Sequence, residues 1–186
     1  MKAIWLAFVQ LLCSIRRDAM LFAACFAPLL FGLFCKLGVP RLERLLTEYF
    51  KTGPLLAPYY SLLDVFLAML PAVMFCFAAA MVMLEEADDR TAAYLFVTPL
   101  GRRGYLAARL GLPAVFAFGL TLLLLPLFRL TPMSLVLTLL LALAGTAQGL
   151  LLTLMVVSFA SNKLEGMALT KLASALMLGT MGPAAG

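Results

Sequence analysis

Five apolar runs, at residues 19–39, 61–84, 110–128, 133–160 and 166–182, dominate this chain, and each is about as long as a membrane is thick. Roughly 20 helical residues, rising about 1.5 Å each, cross some 30 Å of hydrocarbon. In lipid the backbone must satisfy its own hydrogen bonds, which leaves helices and closed barrels. Barrel strands alternate over about ten residues; Leu122-Leu123-Leu124-Leu125 and Leu139-Leu140-Leu141 do not. The expected fold is an all-α integral membrane protein. It is a polytopic helical bundle of about five spans forming a single transmembrane domain over residues 1–186. Composition agrees: 65% of residues are hydrophobic and 12% charged, where a soluble domain has about half and about a quarter.

The ends read differently from the middle. Residues 1–18 hold an apolar run too short to span, and Arg16-Arg17-Asp18 follow it without the small-residue cleavage site of a signal peptide. They predict an interfacial helix carrying Trp5 at headgroup depth. At the far end, Gly179, Gly182 and Pro183 should stop the fifth helix early, and the chain reads as lacking a sixth.

Charge sets the expected orientation. Lys2, Arg16, Arg17, Arg90, Arg102, Arg103, Arg109 and Lys163 fall on one side; Lys36, Arg41, Arg44, Lys51 and Arg129 fall on the other. The richer side is expected to be cytoplasmic, and with it the N-terminus. On the outer side, residues 41–50 read as a separate amphipathic helix ended by Gly53-Pro54, with Tyr59 and Tyr60 at the interface before the second span. The net charge of +5 is spread over loops. It suits anionic lipid headgroups and forms no nucleic-acid patch.

Several chemistries are disfavoured. The chain has no His, and neither G-x-x-x-x-G-K-[ST] nor G-x-G-x-x-G occurs. A phosphate cradle of its own is therefore not expected, nor is an enzyme or a bound cofactor. Cys13, Cys25, Cys35 and Cys76 lie in apolar segments without Cys-x-x-Cys spacing and read as packing residues. Three intramembrane polar candidates remain. Asp64, one turn into the second span, is either an acid at the headgroups or part of a proton relay. Gln148 sits among Ala142, Ala144, Gly145, Thr146, Ala147 and Gly149, a stripe suited to close helix packing. Lys171 either snorkels or pairs with a carboxylate.

The longest polar interval, 85–103, joins the second and third runs. Glu85, Glu86, Asp88 and Asp89 open it at a spacing that fits no EF-hand. A short helix is expected over 90–97, exposing Tyr94, Leu95 and Phe96. Thr98-Pro99 ends it, and Arg102-Arg103 lead into the next span. Such a helix can lie on lipid or fill a groove on a soluble partner.

The pattern E-x(5)-T-x(2)-Y-L-x-V-T-P-L-x-R-R-x-Y-L, from Glu85 to Leu106, resembles the cytoplasmic loop of permease subunits of type-2 ABC exporters. The segment from Ala160 to Gly166, followed by Lys171, is similar to the link between their fourth and fifth helices. The likeness is greatest to permeases described as fluoroquinolone exporters, and it extends over the whole chain in span order. Gly101 departs from the Ser often found there.

The resemblance implies a permease that moves a small amphipathic or drug-like substrate across a bacterial cytoplasmic membrane. It implies pairing with a second permease, as homodimer or heterodimer, and a separate ABC ATP-binding subunit that carries the ATP and magnesium. The loop 85–104 would couple the two, through Glu85, Glu86, Thr91, Leu95, Thr98, Pro99, Arg102 and Arg103. The substrate path would be lined by the first, second and fifth spans. Two other readings fit the residues: a non-transporting membrane scaffold or immunity protein, and an ion-coupled carrier using Asp64 or Lys171.

Overall fold

Asp18 separates the first two helices and starts the second. The computed structural model describes residues 2–51, 53–91 and 101–181, and among these there is no strand. Helix α1 (Lys2–Arg17) buries Phe8, Leu11 and Ile15, spaced three and four apart, and exposes Trp5, Leu6 and Val9. That is the two-faced pattern expected of residues 1–18. The Asp18 carboxylate then accepts the amides of Met20 (2.9 Å) and Leu21 (3.3 Å), which caps α2 (Ala19–Leu33).

The first span does not stop where its hydropathy does. After α2 comes a π turn, Phe34–Gly38, and then α3 (Val39–Phe50) without interruption. Residues 41–50 are helical and amphipathic as expected, but they belong to one 32-residue rod, Ala19–Phe50. Pro40 explains the turn. It has no N–H to donate and its ring crowds the carbonyl four residues back. In the wider turn, the Val39 N–H reaches five residues back to Phe34. The rod ends at Lys51, in the left-handed region at φ 50°, ahead of the Gly53-Pro54 expected to end it.

The device recurs on the opposite face of the bundle. A π turn at Ala107–Gly111 joins α5 (Gly101–Leu106) to α6 (Leu112–Phe128), and Pro113 follows it. The two sites share a pattern: Lys36-Leu37-Gly38-Val39-Pro40 and Arg109-Leu110-Gly111-Leu112-Pro113.

A 3-10 turn, Ala57–Tyr59, leads into α4 (Tyr60–Asp88), which outruns the expected second span by a full turn. This helix is the axis of the bundle. It meets α2, α6, α7 (Leu135–Phe159) and α8 (Lys163–Met181), and no residue from 63 to 84 is exposed. Helix α7 crosses it on Ala142, Gly145, Gly149, Thr153 and Val156, all buried. A Cβ at Gly145 would stand 3.2 Å from the Ala68 carbonyl, and one at Gly149 only 2.8 Å from that of Ala72. Thr153 Oγ1, 2.9 Å from Cys76 O, adds a hydrogen bond along the same seam. The small residues are there for contact.

Four described stretches are long and apolar enough to cross a membrane: Ala19–Phe50, Ala57–Asp88, Arg103–Phe128 and Leu135–Phe159. Helix α8, 19 residues long, stands where the fifth span was expected.

Candidate functional site

Polar side chains gather at the face where α2 and α8 begin and α4 ends. Arg109, on the π turn, is fully buried and donates to both carboxylate oxygens of Glu86 on α4: Nε to Oε2 at 3.1 Å, and Nη2 to Oε1. Tyr105, one turn earlier and also buried, donates its hydroxyl to Oε2 at 2.8 Å. A planar guanidinium matching a carboxylate in two places is the strongest form of such a pair. With little water to replace a lost partner, breaking it costs about 3–5 kcal/mol. Glu86 therefore locks the end of the second span to the start of the third.

A second knot lies beside it. Lys163 Nζ is 2.9 Å from Asp18 Oδ2 and 2.8 Å from Glu85 Oε2, while its backbone N–H reaches Asp88 Oδ2 at 3.2 Å. Asp18 thus caps α2 with one oxygen and holds Lys163 with the other. The hydrogen bond from Lys163 holds the Asp18 carboxyl below its ordinary pKa. Partial desolvation lowers Lys163, but its bonds to Glu85 and Asp18, together with their charges, more than reverse this and its pKa rises. These side chains are a quarter to a half exposed, so each bridge contributes only about 0–1 kcal/mol. The turn before Lys163 is held separately. Asn162 Oδ1 accepts the Glu165 amide at 2.9 Å, and the Glu165 carboxylate accepts that of Ser161 at 2.8 Å.

Of the residues expected to couple the loop to a partner, Glu85 and Glu86 are engaged within the chain. Thr91 is exposed, with its hydroxyl 3.2 Å from the Glu86 carbonyl, and Arg103 is exposed. Leu95, Thr98 and Pro99 lie outside the described residues, as does the side chain of Arg102. The helix expected over 90–97 falls largely there too. Two backbone features frame the interval: Arg90 at φ 56° ends α4, and Gly101 at φ 62° begins α5. A left-handed conformation gives a physical reason for glycine in place of serine at 101.

At the opposite face Asp64 is wholly buried. It accepts the amides of Leu130 and Thr131, both at 2.8 Å, and the Thr131 hydroxyl at 2.5 Å. It fastens the turn between α6 and α7. Lys36, on the other π turn, reaches the Leu127 carbonyl at 2.9 Å. Tyr60 donates to Glu43. Gln148 is half-buried on α7, one residue from the glycine seam, and Lys171 is exposed on α8. Among the described residues no group of metal-ligating side chains converges.

Sequence alone places Arg109 only with the basic residues beside the loop and gives Asp18 and Tyr105 no role. A signal was present. An arginine entering an apolar run needs a partner, and Tyr105 lies four positions before it on the same helical face.

No curated protein and no solved structure matches the chain. A family model does, over residues 12–184, from the end of α1 through every later helix. Four apolar helices, a polar junction at one face and that match lead to one conclusion: this multi-pass membrane protein belongs to the family of Rv2686c-like fluoroquinolones export permease proteins.

Proposed function

We propose that the chain is the membrane subunit of an ATP-driven ABC exporter, resident in the bacterial cytoplasmic membrane with its N-terminus inside. It works paired with a second permease copy and with a separate ATP-binding subunit, which carries ATP and magnesium. Its cargo is a small amphipathic drug-like molecule, with fluoroquinolones the first class to test.

One observation carries the reading: the first residues of the loop 85–104 are tied into the bundle, Glu86 to Arg109 at the start of the third span and Glu85 to Lys163 at the start of α8. A load applied to that loop by a soluble motor would pass to the spans and not be absorbed by slack. Helix α1 packs against the Ala107–Gly111 turn, so a motor seated on α1 and the loop would bear on one connected unit.

The test is co-reconstitution with the P-loop ATPase encoded nearest the gene. Drug-stimulated ATP hydrolysis and ATP-dependent drug accumulation in inverted vesicles are expected, and Thr98→Ala with Pro99→Ala should uncouple them. Drug efflux that follows a proton gradient and ignores ATP would overturn the reading.

A further inference from the structure

The two knots beneath the loop differ in kind, and the difference suggests which parts of the bundle travel together. Glu86–Arg109 is buried and two-pronged, supported by Tyr105. Lys163 sits in water-accessible surroundings and holds three separate elements: the start of α2 through Asp18, the end of α4 through Glu85 and Asp88, and its own helix α8. A lysine in the first turn of a helix opposes the helix dipole, and here the acids around it compensate. A Cβ at Gly166 would press on the side-chain ends of Leu84 and Met81, so the first turn of α8 rests directly on α4. Met167 and Leu169 add apolar packing to that seat, and Lys163 adds its charged contacts. Exposed bridges exchange readily with water, whereas a desolvated arginine pair does not.

We propose that Lys163 is a releasable latch. It positions α8 and the start of α2 on the end of α4 at rest, and lets them part when the loop is loaded, while Glu86–Arg109 keeps α4, α5 and α6 one body. The loading step rests on the ATP-driven reading above; the latch itself does not.

The test uses the full chain in lipid nanodiscs, with Cys13, Cys25, Cys35 and Cys76 replaced by alanine and spin labels at exposed positions. One pair, at 17 and 164, spans the latch; the other, at 87 and 106, spans the arginine brace. Lys163→Ala should lengthen and broaden the 17–164 distance and leave 87–106 unchanged. Exchanging charges, Glu85→Lys with Lys163→Glu, should restore the short distance, because a lysine at 85 then faces both Asp18 and the new acid. An unchanged 17–164 distance in Lys163→Ala, or a shift of both pairs together, would overturn the proposal.

With the ATP-binding partner and magnesium ATP-vanadate, the unlatched distance should appear in the parent chain. If nucleotide moves neither pair while Lys163→Ala still opens the first, the latch stands and the ATP-driven reading falls.

Discussion

Arg109 and Gly101 show how much single residues decide near the loop. Arg109→Ala would leave the Glu86 carboxylate buried without its cation, a loss of about 3–5 kcal/mol. It should appear as a large fall in melting temperature in detergent. Arg109→Lys keeps the charge but not the fork, and should fall between. Tyr105→Phe removes the hydroxyl that donates to the Glu86 carboxylate and should cost about 1.5–3 kcal/mol. Gly101 stands at φ 62° with open space where a Cβ would go, so only backbone strain opposes substitution. Gly101→Ala should therefore cost about 1–2 kcal/mol, read by the same melts. A loss far below that would mean the segment adopts another conformation.

At the scale of elements, the seam between α4 and α7 offers a matched comparison. A methyl at Gly149 meets the Ala72 carbonyl and the Cys76 sulfur, so Gly149→Ala should destabilise by about 1–3 kcal/mol. Gly119 is exposed on α6 with nothing within 4 Å of a built Cβ. Gly119→Ala should be neutral or gain up to about 1 kcal/mol in helix propensity. Thermal unfolding of the two variants side by side checks both. The same elements show what hydropathy can and cannot convey. The small-residue stripe at 142–149 announces a packing face, because glycine and alanine in lipid have few other uses. The continuity of Ala19–Phe50 was hidden, because Pro40 reads as a break unless the turn before it widens to π geometry. The end of α4 was hidden too. Its last turn is acidic, and acids at a helix end look like loop until Arg109 and Lys163 supply their partners.

For the whole molecule, the order of four apolar helices was legible in the sequence, since bilayer thickness imposes one length on every crossing; a fifth span was expected, and among the described residues four stretches qualify. The ties between them were not. They join positions far apart, 23 residues for Glu86 and Arg109 and 145 for Asp18 and Lys163, and no local pattern reports such a pairing. Their pH response follows from the charges involved. Asp18 has a lowered pKa in the folded chain, so its contribution is complete above about 3.9 and fades as pH falls through the folded value. Lys163 has a raised one, so its contribution is complete below about 10.4 and fades as pH rises through the folded value. The 17–164 distance should hold constant between about pH 3.9 and about pH 10.4 and lengthen only as pH moves beyond the folded values on either side. A transition near neutrality would mean another group governs the contact.

Asp64 has a consequence for biogenesis. Its amide donors, Leu130 and Thr131, are encoded 66 and 67 positions later. At about 5–20 residues per second, a ribosome needs roughly 3–13 s to supply them. Throughout that interval a bare carboxylate waits beside the translocon, which makes the second hydrophobic segment a natural client for whatever insertase shelters half-made membrane proteins.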